Sequence, residues 1–84
     1  MKTTTYTIAQ TPVLIVPAIK FEARTVYLDP LAQDIVIGGS NVTDTTGVSL
    51  TKSVIQTIII PPNESLYAIT KTGSHPITVL EPST

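Results

Sequence analysis

Residues 35–47 read IVIGGSNVTDTTG, and this stretch determines how the rest of the chain is interpreted. Isoleucine and valine are branched at Cβ and favour a pleated, extended backbone, so residues 35–37 predict a β-strand. Gly38-Gly39 allows positive backbone dihedrals or a β-bulge that turns the chain sharply. A short second strand at Val42 and a hairpin tip at residues 44–47 are expected next. The stretch therefore predicts a hairpin, and nothing in it resembles a catalytic motif.

The same alternation of apolar strands and turn signals continues along the whole chain. Strands separated by turns at intervals of about 8–12 residues are typical of an all-β sandwich or barrel. No segment of ten residues shows the 3.6-residue period of a helix. We expect a single small antiparallel β-sandwich, jelly-roll-like or Greek-key, over residues 11–84, preceded by an extended N-terminal arm at residues 1–10. The predicted strands cover residues 13–16, 25–28, 34–37, 48–50, 53–60, 65–70 and 76–80.

The longest predicted strand, residues 53–60, is apolar on both faces. Val54, Ile58 and Ile60 alternate with Ile55 and Ile59, so that neither face is polar throughout. This pattern indicates a central strand, or a strand whose outer face meets a partner.

Composition excludes several classes of function. The chain has 84 residues, no cysteine and a net charge of −1, so disulfides and thiolate metal sites are excluded and no basic surface for nucleic acid is expected. No apolar run approaches the roughly 20 residues that span a bilayer, and no basic amphipathic stretch suits a membrane surface. With 42% hydrophobic and 13% charged residues, apolar area exceeds what one small core can bury. We therefore expect a homo-oligomer, with a trimer as the specific prediction.

Acidic residues and the single histidine were weighed as candidate sites. A calcium site needs six to eight converging oxygens, and the chain lacks the alternating Asp/Asn loop of a dedicated site, so no metal is expected. A glycosidase needs paired carboxylates in an aromatic-lined cleft, and the chain has only three Tyr and one Phe. A serine, His75 and an aspartate are the minimal hydrolase set, but His75 precedes a proline beside a tight turn. We expect no enzyme and no cofactor. The acidic candidates are Asp29, Asp34 and Asp44 for calcium, and Glu22, Glu64 and Glu81 for a glycosidase.

Several segments together resemble a known group of proteins. They are TPVLIVPA (residues 11–18), VYL (26–28), IGGSNVT (37–43), PNESLYAI (62–69) and ITVLE (77–81), with glycines at 47 and 73. This pattern resembles small β-sandwich structural proteins of tailed bacteriophage virions, among them capsid decoration (cement) and head–tail accessory proteins. Such modules often carry a glycine before the long strand, where this chain has Thr51-Lys52-Ser53.

The resemblance implies a non-enzymatic structural protein that assembles in the host cytoplasm and is located in the virion. The expected function is a capsid decoration protein that binds the head shell through the major capsid protein or another virion protein. The alternative is a tail, baseplate or fibre module whose hairpin tips around Asp44 and Asn63 bind glycans. The partner-binding residues predicted on the arm, on the proline-bracketed strand and on a later strand are Thr5, Tyr6, Ile8, Val13, Ile15 and Tyr67.

Overall fold

The structure is a computed structural model that describes residues 2–18, 23–31, 33–43 and 45–81. Eight strands occur in it: β1 (Lys2–Ile8), β2 (Val13–Val16), β3 (Arg24–Asp29), β4 (Ile35–Gly38), β5 (Val48–Leu50), β6 (Gln56–Ile60), β7 (Leu66–Ile69) and β8 (His75–Glu81). The described residues form no helix that is long and apolar enough to cross a membrane.

The strands form two four-stranded antiparallel sheets. Sheet A has the order β1-β8-β3-β6, and sheet B has the order β2-β7-β4-β5. All connections except the β4–β5 hairpin cross from one sheet to the other. Those that join β1 to β2, β3 to β4, β5 to β6 and β7 to β8 are short, with four or five residues each. This is the strand order of an eight-stranded jelly roll. The predicted all-β sandwich is confirmed, and of its two variants the jelly roll is the one observed.

The predicted N-terminal arm belongs to the sandwich. β1 pairs with β8 along its full length, from Lys2 opposite Glu81 to Ile8 opposite His75. Its inward residues reach the core, where Tyr6 is half-buried and Ile8 is fully buried. The alternation of residues 3–8 thus gives β1 one face that packs against the core of this same chain. Residues 2–8 are therefore part of the sandwich and not a separate arm.

Residues 53–60 do not form a central strand. β6 begins at Gln56, has five residues and lies at the edge of sheet A, where it pairs only with β3. The longest strands are β1 and β8, with seven residues each. Ile59 on the outer face of β6 is exposed. The prediction of a central strand is therefore wrong because no second strand covers the open edge.

The core lies between the two sheets and is built almost entirely of Val, Leu and Ile. Inward residues of β3, such as Val26 and Leu28, meet inward residues of β4, such as Ile35 and Ile37, in one buried cluster. A second, smaller cluster lies on the outer face of sheet B. It consists of Val36, Val42 and Ile69, with Tyr67 packed against them.

The hairpin between β4 and β5 differs from its prediction. β5 pairs back on β4 as expected, but Val42 is not in a strand; it is buried against Val36. Val42 and Gly47 instead lie against Val36 on the outer face of sheet B, and Val42 gives Val36 an apolar cover. Gly47 has a φ of +153°, whereas Gly38 and Gly39, the expected turn glycines, do not adopt positive φ. Asp44 lies outside the described residues.

One end of the core is closed by a buried ion pair. Arg24 at the start of β3 and Glu81 at the end of β8 are 4% and 6% exposed. Arg24 Nη1 lies 3.9 Å from Glu81 Oε2, and Arg24 Nη2 donates a 3.3 Å hydrogen bond to the Glu64 carbonyl. Lys2, which is exposed, places its Nζ 3.8 Å from the other carboxylate oxygen of Glu81. Among the described residues, Arg24 Nε and Nη1 have no hydrogen-bond partner.

Candidate functional site

The predicted partner-binding residues lie on one side of the sandwich, where β1 and β2 form the edges of the two sheets. The exposure of these six side chains is uneven. Thr5 is exposed, and Tyr6, Val13 and Tyr67 are half-buried. Ile8 and Ile15 are 0% exposed and belong to the core, so they cannot contact a partner without opening the sandwich.

Exposed apolar side chains concentrate on the opposite side, around β6. In the described residues, five of the six exposed large apolar side chains lie on β3, β5 or β6 or immediately before β6. We call Tyr27, Val54, Ile55 and Ile59 the β6 patch; Ile55 and Ile59 are 63% and 69% exposed. The fifth, Val48, lies on β5, the outermost strand of sheet B. On the β1–β2 side only Leu14 stands exposed, at 42%.

Register places two members of the β6 patch on one face. Thr25 pairs with Ile59 and Tyr27 pairs with Thr57, all on the outer face of sheet A. Tyr27 also pairs with Leu80 of β8 on its other side. Ile55, the residue immediately before β6, is exposed as well. Sequence reasoning missed these residues as site candidates, although the two-sided apolar pattern of residues 53–60 was the signal that marks them.

A cleft of about 380 Å³ lies at the end of the sandwich opposite the Arg24–Glu81 pair. It is formed where the β3–β4, β5–β6 and β7–β8 connections meet. Lys52, Lys71 and His75 all line it, together with one described carboxylate, that of Asp34. The remaining lining residues are Gln33, Val36, Ser49, Leu50, Thr51 and Thr72. The cleft is thus mainly basic and hydroxyl-rich.

The residues weighed for hydrolysis meet in this cleft but do not form a triad. Asp34, Ser49 and His75 all line it. A triad requires hydrogen bonds from nucleophile to base and from base to carboxylate. In the described part of the chain, no hydrogen bond links His75 to Ser49 or Asp34; Asp34 Oδ1 instead accepts a 2.7 Å bond from the Lys52 amide.

The remaining acidic candidates serve structural roles or lie apart. Asp29 Oδ1 accepts a 3.0 Å hydrogen bond from the Leu31 amide, which stabilises the turn after β3. Glu81 belongs to the buried ion pair, and Glu22 lies outside the described residues. Over residues 2–18, 23–31, 33–43 and 45–81, no group of three or more acidic, His or Cys side chains could hold a metal ion.

Asn63 occupies the turn after β6 with a φ of +64°. Asparagine tolerates this left-handed conformation better than most residues. Its predicted use in a turn is confirmed.

Comparison of the chain with protein-family models, with curated proteins and with solved structures finds no match.

Proposed function

We propose that this chain is a non-enzymatic structural protein of a phage virion, and that it binds the outside of the head shell and reinforces it. The single observation that carries the proposal is the exposed apolar surface. In the part of the chain that the structure describes, six large apolar side chains are exposed, five of them around β6 and the sixth, Leu14, on the β1–β2 side. Apolar area of this kind marks sites that bind other macromolecules.

The strand order also supports this function, because jelly rolls are frequent among viral capsid and lectin domains. A fold by itself hosts many unrelated functions, so this support is an analogy. The two classes nevertheless coincide with the two functions that the sequence predicts, a shell protein and a glycan-binding module.

The mechanism is multivalent docking. We assign the shell contact to the β1–β2 side, where Leu14 is exposed opposite its half-buried pair partner Tyr67, and where Tyr6 and Val13 are half-buried on the two edge strands. One such surface binds weakly, but an oligomer that engages several shell sites at once gains avidity of about 10² to 10⁴ over a single site. Reinforcement follows because each oligomer then joins neighbouring shell subunits.

Shells that lack this protein are expected to lose resistance to heat and osmotic shock, and to regain it when purified protein is added. The Leu14→Lys variant should bind shells about tenfold more weakly, because it places a charge where apolar surface must be desolvated. Val48→Lys is the control, since it adds the same charge to an exposed apolar residue on β5, the edge of sheet B farthest from β2. Co-sedimentation with shells measures binding. Shells that are equally resistant with and without the protein would contradict reinforcement.

A second candidate function, a fibre or tail module that binds acidic glycans, is favoured by the basic cleft. Lys52, Lys71 and His75 there can donate hydrogen bonds to carboxylate and hydroxyl groups, and Ser49 and Thr72 add hydroxyls. The cleft has room for about one or two sugar rings. Its described lining contains no Phe, Tyr or Trp side chain, and stacking on such rings is what sugar sites usually add.

Binding of an acidic oligosaccharide is expected to require both lysines if this second function holds. The double variant Lys52→Gln/Lys71→Gln should then reduce affinity about a hundredfold or more, because each of the two lost charge-assisted hydrogen bonds contributes about 1.5–3 kcal/mol. Lys2→Gln, at the opposite end of the sandwich, is the matched control. Isothermal titration calorimetry with a sialylated oligosaccharide and its neutral counterpart measures the effect. Equal affinity for the two sugars would count against an acidic-glycan site.

A further inference from the structure

We infer that two copies of this chain pair antiparallel along β6, about a two-fold axis at Ile58, so that their A sheets form one continuous eight-stranded sheet. The inference extends the proposed function, in which the protein acts as an oligomer, and it names the interface and the partner. It depends on four observations: an open edge, the absence of charge on it, a half-buried residue at its centre and exposed apolar side chains beside it.

Of the two edge strands of sheet A in the described residues, β6 is the one with no charged residue inside the strand, although Pro61 and Pro62 follow it directly. Natural proteins protect edges with charges, prolines or very short strands. β2 is bracketed by Pro12 and Pro17, β5 has three residues, and β1 carries Lys2 and an outer row of threonines. β6 has five residues without charge or proline. An unprotected apolar edge normally pairs with another strand.

The sequence of β6 is suited to pairing with itself. A symmetric antiparallel pairing that uses all five residues of Gln56–Ile60 must be centred on the middle one. Ile58 then faces the second copy's Ile58, Thr57 faces its Ile59, and Gln56 faces its Ile60. No like charges meet in this register, whereas a charged edge strand would repel its own copy.

The pairing covers Ile58, which the monomer leaves half-buried, and brings the exposed Ile59 side chains of the two copies close together. Ile58 points inward and packs against the core, yet it is only half-buried because no strand lies beyond it. In the dimer, the second copy's Ile58 covers it. On the outer face, Ile59 lies diagonally across the join from its own copy, at about 7–8 Å, which is within reach of long side chains. The β6 patches of the two copies thereby become one apolar strip.

A two-fold dimer also explains why β6, one edge strand of sheet A, is flanked by exposed apolar residues while β1, the other, has an outer row of threonines. Head-to-tail pairing of β6 with β1 of another copy would build a ring, such as the predicted trimer, or an open filament. In that arrangement, the exposed Ile59 would meet the polar row of Thr3, Thr5 and Thr7. Self-pairing of β6 instead places Ile58 directly opposite its own copy and brings the two Ile59 side chains diagonally across the join, and it leaves the β1–β2 side free for a shell.

Sedimentation velocity of the purified protein, without any shell, tests the pairing. We expect a dimer whose dissociation constant rises about tenfold or more in the Ile59→Lys variant, because two lysines then lie diagonally across the join. Leu14→Lys is the matched control, since it adds the same charge to an exposed apolar residue on the opposite side of the sandwich, and its dimer should be unchanged. Circular dichroism establishes that both variants are folded.

A cross-linking experiment tests the register independently. The chain has no cysteine, so Ile58→Cys introduces a single thiol. Mild oxidation should convert most of this variant to a disulfide-linked dimer, because directly opposite residues on antiparallel strands lie within disulfide distance. Leu14→Cys should remain monomeric on a non-reducing gel.

Several results would overturn the inference: a monomer or a trimer in sedimentation, a dimer that Ile59→Lys leaves intact, or cross-linking at residue 14 in place of residue 58. The experiments distinguish a failure of the dimer from a failure of the proposed function. A monomer that still binds shells overturns the dimer alone, and a β6 dimer that ignores shells overturns the shell function alone.

Discussion

Replacement of Gly47 by alanine is expected to destabilise the protein by about 2–5 kcal/mol, which approaches the whole stability of a domain of this size. A Cβ atom at this position would lie 2.6 Å from the Ile37 carbonyl oxygen and 2.7 Å from a methyl group of Val36. The carbonyl belongs to the β4 backbone and cannot move without disturbing the pairing of β4 with β5. Its φ of +153° adds strain, because side chains other than glycine rarely adopt this conformation.

Gly39→Ala is the matched control for this substitution. A Cβ atom there would meet only Asn41 Oδ1, at 3.5 Å, which is an ordinary contact. We expect its free energy of unfolding to change by less than about 1 kcal/mol, with a gain possible from the stiffer unfolded chain. Urea denaturation followed by circular dichroism measures both variants. If Gly47→Ala were as stable as Gly39→Ala, the close packing of the hairpin loop onto β4 would be refuted.

The contrast between these glycines shows what the sequence could and could not predict about its decisive stretch. The strand at residues 35–37 and the return strand at residues 48–50 follow from local alternation, which depends on neighbours along the chain. The position that requires glycine does not follow from local alternation. It is set by the close approach of Gly47 to the Ile37 carbonyl and of Val42 to the methyl groups of Val36. Only the folded loop brings these groups together.

The position of β6 shows the same limit at the level of the sheet. The sequence shows that β6 has apolar residues on both faces. A central strand and an edge strand whose outer face meets a partner both have this pattern. The choice between them depends on which strands pair, and this is a property of the whole topology. Likewise, Thr3 to Ile8 have the pattern of a strand, but the sequence could not reveal that this strand pairs with β8 of the same chain.

The candidate sites were predictable only in part. That apolar surface would remain exposed follows from composition, but its concentration around Ile55 and Ile59 depends on the fold. The basic cleft joins residues from three connections, and Lys52 and Lys71 are separated by 18 residues of strand and turn. The Arg24–Glu81 pair joins the starts and ends of distant strands. No spacing rule along the chain detects such groups.

Substitution of Glu81 by glutamine is expected to destabilise the protein by about 3–5 kcal/mol, because it leaves the Arg24 guanidinium buried without a counter-charge. Arg24 is only 4% exposed, so water cannot solvate the unpaired charge. Its Nη2 bond to the Glu64 carbonyl remains, but a carbonyl supplies only a partial charge. Thermal and urea unfolding curves measure the loss.

Two further variants separate this charge effect from a general loss of packing. Lys2→Gln removes the other cation beside Glu81, but Lys2 is largely exposed, so solvent screens the interaction and a change below about 1 kcal/mol is expected. The double variant Arg24→Met/Glu81→Leu removes both buried charges and keeps apolar volume, and it should recover most or all of the lost stability. This recovery is the decisive result. If the substitutions only damaged packing, their losses of stability would add, whereas the cost of an uncompensated charge disappears once Arg24 is replaced. A double variant less stable than Glu81→Gln would show that Arg24 stabilises the end of the core through its contacts and not at the cost of a buried charge.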